Sequence, residues 1–382
     1  MESASTSRIT AAIGMARYLG TPEDNRLTLD LGEFHPGNHG GLEIDLETEV
    51  QSGRDVVTSC HVRPGLMHRS AEKLFEARDY RQIMMLANRH DWLSAVSSEL
   101  GVALTVEKAT GITPPERATW SRMLLAEAGR IGAAALLLGA RGLDDALSLR
   151  ESWAQWQERA TGGRVHPMIN RIGGLEHPLP NASLTDIVEL SAYASSLAPT
   201  WRDHISAIDE LNDLALLRYD DARTYACSGA VGHASGVDWD LRRDDPYLAY
   251  EHIDVDWSAP VRTEGDARAR YLSLIDSITV SSSIIAECAA RLRDLEDEPY
   301  SVPLPKTLRA PEGTVHVRTQ NPLGIAGWLL VSDGDSLPVR LKARTPSFAH
   351  LQAMQVALPG TPLTELSSAV GSFFFVTGDA DR

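Results

Sequence analysis

The segment opened by Pro114-Pro115-Glu116-Arg117 constrains this chain more than any other, because the helix it starts becomes apolar on every side. Proline and an acidic residue in a first turn mark a helix start. The missing N–H is one that no helix satisfies internally, and a carboxylate suits the positive end. Beyond it Leu124, Leu125, Ala128, Ile131, Ala135 and Leu138 form a stripe that widens to cover the whole circumference. A helix without a polar face cannot lie on a surface, so it belongs inside a bundle. Its uncharged part, Ile131 to Ala140, is about half of the roughly 20 residues a bilayer crossing needs, so no direct membrane span is expected. Amphipathic segments around 146–158, 184–197 and 267–295 are the candidates to surround it.

Towards the start of the chain, Leu27, Leu29 and Leu31 alternate with polar residues, as do Leu42, Ile44 and Leu46. Period two on both sides of His35-Pro36-Gly37-Asn38-His39-Gly40 predicts a β-hairpin whose loop presents two imidazoles. Pro36 and Gly37 rule out a helix across the loop, so His35 and His39 are not a helical zinc-binding pair. Histidine can donate a proton near neutral pH, which suits proton-coupled chemistry. A turn held by histidine–backbone hydrogen bonds fits the same residues equally well.

The expected fold class is α+β, mostly α. Residues 1–26 form an N-terminal arm with a short helix over 10–19, and 27–64 a β-rich hairpin region. Residues 65–300 form a helical bundle, and 301–382 a proline-rich connector with a small C-terminal α/β region. In that last region Gly327-Trp328-Leu329-Leu330-Val331 leads through Ser332-Asp333-Gly334-Asp335 into Val339, Leu341 and Ala343, which alternate with Arg340, Lys342 and Arg344. That is a hairpin with one apolar and one cationic face, followed by a short helix from Pro346. The cations are either a solvated strand face or a contact for an acidic partner subunit.

A chain of 382 residues buries a large core in two or three layers or subdomains. A formal charge of −16 argues against nucleic acid and against anionic membrane surfaces as partners. Cys60, Cys227 and Cys288 are widely spaced, so neither a disulfide framework nor a cysteine-rich metal site is expected, and a cytoplasmic location fits best. The first residues lack a basic stretch followed by an apolar run, so no secretory leader is expected either.

No HExxH, phosphate-binding loop or GxSxG elbow is present, and the pairs Gly162-Gly163 and Gly173-Gly174 are not a dinucleotide fingerprint. Arg89-His90-Asp91-Trp92 is read as a helix opening whose Arg and Asp either floor a polar pocket or form an ordinary capping cluster. Asp144, past the most apolar helix, invites a charged partner such as a histidine, or is simply an exposed helix-end acid.

Taken in order, several segments resemble the family of the D, or 49 kDa, subunits of NADH-quinone oxidoreductase (respiratory complex I), itself related to nickel–iron hydrogenase large subunits. They begin with His35-Pro36-x-x-His39-Gly40, Pro64-Gly65-Leu66-Met67-His68-Arg69 with Glu72-Lys73-Leu74, and Val106-Glu107-Lys108 with Pro115-Glu116-Arg117-Ala118. The helix Glu127 to Gly139 and Arg171-Ile172-Gly173-Gly174 follow, then Ala234-Ser235-Gly236 with Asp240, Arg242, Pro246, Tyr247 and Tyr250. Val331-Ser332-Asp333-Gly334, Pro346-Ser347-Phe348 and Gly378-Asp379-x-Asp381-Arg382 complete the set.

The resemblance implies a hydrogenase-large-subunit-like fold and a peripheral-arm subunit that shapes a quinone headgroup pocket with an iron–sulfur partner. Small peripheral-arm subunits and a membrane arm are the further partners it implies, placing the chain on the cytoplasmic face of the cell membrane. NADH and the iron–sulfur cluster would belong to partners; this chain would bind no cofactor, take quinone as acceptor and not be active alone. Carried over by position, His39 holds the quinone, Asp144 pairs with His39, and His35, Arg89 and Trp92 complete the binding residues. The sequence departs from the family at several of its positions. The family's tyrosine is Trp92, an indole far too weak an acid to deliver a proton. The family's long-helix histidine falls on Ala134, and its Asp-Pro is replaced within Phe373-Phe374-Phe375. Charged positions after Gly265-Asp266 are Leu274, Ser277 and Val280, and the connector before the C-terminal hairpin is shorter. The nickel-binding cysteine pairs are absent, so hydrogenase chemistry is excluded. These departures keep open a repurposed non-respiratory paralogue in specialised metabolism, or a scaffold subunit without catalysis.

Overall fold

The computed structural model describes the backbone of 17–18 and 26–30 and residues 41–382 in full; the His35–Gly40 loop lies outside them. Strands β1 (Arg17–Tyr18), β2 (Arg26–Asp30), β3 (Leu42–Gln51) and β4 (Arg54–Arg63) form an antiparallel sheet in that order. Leu27 faces Ile44 and Leu29 faces Leu42 across β2 and β3, the pairing the alternation predicts. Arg17 and Tyr18 pair with Asp30 and Leu29, so strand replaces the expected short helix there. The β3–β4 turn takes positive φ at both Ser52 (52°) and Gly53 (79°), a mirror-type turn that matches strand twist.

Helices α1 (Ala71–Glu76), α2 (Tyr80–His90) and α3 (Ala95–Thr110) lead to α4 (Glu116–Ala140), with a 3-10 turn at Trp92–Ser94 between α2 and α3. Then come α5 (Asp144–Thr161), the short ladder of β5 (Asn170–Arg171) and β6 (Gly174–Leu175), and α6 (Asn181–Ser206). The small helices α7 (Tyr219–Thr224), α8 (Gly229–Ala234) and α9 (Leu241–Asp244) precede α10 (Ala267–Asp294). As its pattern demands, α4 sits among α3, α5, α6 and α10. Both α4 and α10 are long and apolar enough to cross a bilayer, but 89% of the apolar stretch of α4 and 61% of that of α10 are buried inside the protein. Their apolar faces therefore serve the core.

The polar residues of α4 organise what surrounds it. Glu127, fully buried, receives Arg242 of α9 at 2.9 Å, the Tyr250 hydroxyl at 2.6 Å and the Ser281 hydroxyl of α10 at 2.6 Å. Arg242 also holds Asp240 at 2.6 Å. One turn on, Arg130 binds Glu127 at 3.3 Å and the Gln320 carbonyl at 2.7 Å. Burial alone would raise the Glu127 pKa; the Arg242 and Arg130 charges, with the Ser281 and Tyr250 hydrogen bonds, hold it down at about 2. A second buried pair joins α3 to α4: Glu107 grips Arg122 at 2.7 and 3.0 Å, and Arg122 reaches the Arg171 and Gly174 carbonyls. Segments that carry the family resemblance thus meet at two buried polar clusters on α4.

The C-terminal region is a three-stranded antiparallel sheet, β7 (Gly313–Asn321), β8 (Gly324–Ser332) and β9 (Arg340–Arg344), followed by α11 (Pro346–Ala357), α12 (Leu366–Gly371) and α13 (Thr377–Ala380). β8 and β9 are the expected hairpin; β7 is an addition that the sequence pattern does not predict. Trp328 of β8 packs its indole where a side chain on Gly101 of α3 would stand, so that glycine permits the close approach of sheet and helix. The cationic face of β9 meets acids of this same chain. Glu72 on α1 binds Arg340 and Lys342, the latter at 3.0 Å, and Glu76 binds Arg340 at 3.0 Å. Arg344 instead donates to the Ile325 and Ala226 carbonyls.

Arg242→Met would leave Glu127 and Asp240 buried without their main counter-charge, and urea denaturation at neutral pH should show a loss of about 3–5 kcal/mol. The low folded pKa of Glu127 contributes stability above the unfolded carboxylate value of about 4.3 that disappears as pH falls through about 2. In the variant, where Arg242 no longer holds the Glu127 pKa down, this acid-linked loss between about pH 4.3 and about 2 should be smaller than in the parent.

Candidate functional site

The segment 89–92 closes one helix and starts another, where the sequence suggests only an opening. Asp79 caps α2 by accepting from the Arg81 and Gln82 amides at 3.0 Å, and Ile83, Met84 and Ala87 bury its apolar face. The helix ends at His90 because Asp91 leaves helical geometry (φ −116°, ψ 78°). Asp91 then caps the 3-10 turn, its Oδ1 accepting from the Ser94 amide at 3.1 Å. Its Oδ2 is buried with no hydrogen-bond partner among the described residues.

His90 Nδ1 lies 2.5 Å from the Ala87 carbonyl, which can only accept, so this nitrogen carries a proton. Nε2 is left facing Asp379 Oδ1 at 3.5 Å, with side-chain exposures of only 6% and 2%. The other Asp379 oxygen accepts from the Ser347 amide at 3.3 Å, in the first turn of α11, where the helix end favours an anion. Burial alone would lower the His90 pKa; the hydrogen bond and charge of Asp379, and the charge of Asp91, outweigh it and raise it. Burial, then the Asp379 charge, pushes Asp91 up to about 7, against the pull of His90. Trp328 closes the cluster with its ring perpendicular to His90 at 5.7 Å.

Trp92 directly follows this cluster and is half-buried against the central core. Arg89 lies exposed on α2, held by the Met85 carbonyl at 3.1 Å and close to the Met168 sulfur at 3.6 Å. Arg89 is thus open to solvent, whereas Asp91 is buried. Asp144 is the first residue of α5, exposed, with no side-chain partner for its carboxylate among the described residues. The neighbouring Asp145 accepts from the Trp201 indole at 2.9 Å. His35 and His39 fall outside the described residues; Arg89 and Trp92 are neighbours in sequence at the end of α2, one exposed and the other half-buried.

Beside the cluster, the segment after β4 and the end of the chain enclose a cleft of about 250 Å³ bordered by His68, Glu72, Lys342, Phe348, Asp381 and Arg382. Asp381 accepts from the Met67 amide at 2.8 Å, and Arg382 reaches Glu72 at 3.5 Å. The sequence singles out both segments without assigning either a role. The meeting of His90 with Asp379 has no local sequence signal, because it depends on how the end of the chain folds back onto α2.

A family profile described as "Respiratory-chain NADH dehydrogenase, 49 Kd subunit" matches residues 145–308 and 303–382. The chain is 41% identical to the second D subunit of NADH-quinone oxidoreductase from Streptomyces griseus, over 95% of this chain and 94% of that protein. It is 40% identical to the first such D subunit of Streptomyces coelicolor, over 99% of each. To the second D subunit of Salinispora tropica it is 43% identical, over 93% of each.

The geometry separates the two polar residues that flank His90 and Trp92. Arg89→Ala should change unfolding free energy by less than about 0.5 kcal/mol, as for an exposed side chain. Asp91→Ala, which uncaps the 3-10 turn, should cost about 1 kcal/mol, read in the same denaturant titration.

Proposed function

The chain belongs to the family of the D, or 49 kDa, subunits of NADH-quinone oxidoreductase, and from that premise we propose that it forms a quinone-type acceptor pocket in an assembled electron-transfer complex. The pocket lies between the His35–His39 loop and the Trp92 turn, on a hydrogenase-large-subunit-like bundle. The electrons arrive from an iron–sulfur partner subunit, with NADH oxidised elsewhere in the complex and a membrane arm holding the assembly at the cytoplasmic face of the membrane. The observation that carries this reading is full-length kinship with the D subunits, whose characteristic segments here meet at two buried polar clusters on α4.

In the pocket, His39 donates a hydrogen bond to one quinone carbonyl and a proton to it on reduction. Asp144, an acid without a partner among the described residues, holds His39 in its protonated form. Trp92 offers its ring as a stacking face and its indole N–H as a donor that keeps its proton. His35 and Arg89 border the entrance.

Two substitutions test this in the assembled complex. His39→Ala should abolish reduction of a short-chain quinone while NADH oxidation by ferricyanide, which bypasses the pocket, persists; unchanged quinone turnover removes His39 from the mechanism. Trp92→Ala should raise the quinone KM by about 2- to 10-fold, the loss of one aromatic contact of about 0.5–1.5 kcal/mol.

Trp92 itself favours a second reading, a repurposed non-respiratory paralogue or a scaffold subunit, since an indole cannot serve as the acid a tyrosine would supply. Tagged purification from the native host discriminates. Recovery with iron–sulfur and multi-spanning membrane proteins supports the first reading, and recovery with unrelated soluble enzymes supports the second.

A further inference from the structure

We propose that His90, Asp91 and Asp379 form a buried proton store behind Trp92, which supplies one of the two protons taken up when the acceptor is reduced. The inference rests on the acceptor reading above and names a source of protons that reading lacks.

Three ionisable side chains meet here out of water: His90 and Asp379 are 6% and 2% exposed by side chain, and Asp91 is 1% exposed. The cluster is shut on one side by the Trp328 ring. On another, a side chain on Gly378 would stand 2.9 Å from the His90 carbonyl, so the backbone before Asp379 lies directly on the end of α2. Two carboxylates in so confined a volume repel each other, and a proton on the imidazole between the α2 end and Asp379 relieves that repulsion directly.

Asp379 is placed to be the anion, since its second oxygen sits on the first turn of α11. The exchangeable protons then belong to His90 and Asp91. The capping role of Asp91 uses one oxygen and leaves Oδ2, buried and without a partner among the described residues, unexplained. A protonated, neutral carboxyl leaves less charge stranded there than a carboxylate would. The titration behaviour agrees, with His90 raised and Asp91 pushed to about 7.

Two further titratable groups face Asp379 from other elements. Arg344 of β9 is a permanent cation, and His350 of α11 has its pKa depressed to about 4 by burial and stays neutral. Neither competes for a proton near neutral pH.

The chemistry balances. Reduction of a quinone to the quinol converts two C=O groups to C–O–H, taking up two electrons and two protons. The electrons come from the iron–sulfur partner, one proton from His39 and the other from the store, and two protons from bulk water restore His39 and the store. The store lies one residue from the indole that cannot release a proton itself.

The test uses the assembled complex with Asp91→Asn, which keeps the cap but holds no acid, and with His90→Gln. Quinone reduction is followed between about pH 5.5 and 9, alongside NADH oxidation by ferricyanide. In the parent, kcat should fall as pH rises through about 7, the value at which Asp91 loses its proton. Each variant should lose at least about tenfold in kcat at pH 6, with KM unchanged and no inflection near neutrality. In the full chain, nitrogen NMR should show His90 titrating above the free-histidine value, and Asp379→Asn should abolish that elevation. Parent-like pH profiles in both variants, or a His90 that titrates at or below the free value, would overturn the store while leaving the acceptor reading intact. A parent complex that oxidises NADH but reduces no quinone would overturn the acceptor reading and the store with it.

Discussion

Glu127 is the charge on which the bundle turns. It stands in the middle of a helix otherwise built to be surrounded by hydrocarbon, and it is fully buried. A carboxylate in such a place must be matched from several directions at once, and here it is matched by α4 itself, α9, the Tyr250 turn and α10. Arg130 carries the same constraint outward to β7 through the Gln320 and Asn321 carbonyls. Buried ion pairs add little net stability over hydrophobic packing, but removing one partner is severe. The network therefore acts by penalising wrong registers: α9, α10 and β7 can each meet α4 in one way only without stranding a charge.

Where the fold was legible in the sequence, periodicity made it so. The all-round apolar pattern of α4 places it at the centre, and alternating Leu and Ile set the β2–β3 register. β7 escapes the same reasoning because its first half is largely exposed, so its residues follow no clean inside–outside rhythm. The cations of β9 show the limit of local reading in another way. Their spacing is visible, but Glu72 and Glu76, which neutralise them, lie far away along the chain.

The candidate site divides along the same line. Trp92 and Asp144 are found because motif position marks them, and the structure then adds what position cannot: Trp92 is half-buried against the core and Asp144 exposed at a helix start. His90 and Asp379 carry no such mark. They become a pair only because Thr345 and Ser347, at the start of α11, hold the Asp379 backbone and carboxylate in place, while Met67 and Glu72 anchor the last residues. The last residues are thus a wall of the His90 cluster, held by capping and ion pairing together with the buried apolar run Phe373-Phe374-Phe375-Val376.

That wall sharpens the question of why charge is buried at this point. An imidazole and two carboxylates out of water cost more than apolar side chains of similar size would, and a serviceable cap for the Trp92 turn needs only one oxygen. Asparagine at position 91 would cap without a titrating proton, and an aliphatic residue at 90 would pack against Trp328 without needing Asp379. In the proposed store the trio keeps a proton near neutral pH, next to an aromatic residue whose own N–H stays protonated. Stability alone does not call for that arrangement; the proposed proton store gives it a use. On that proposal Trp92 and the cluster behind it are two parts of one chemical solution.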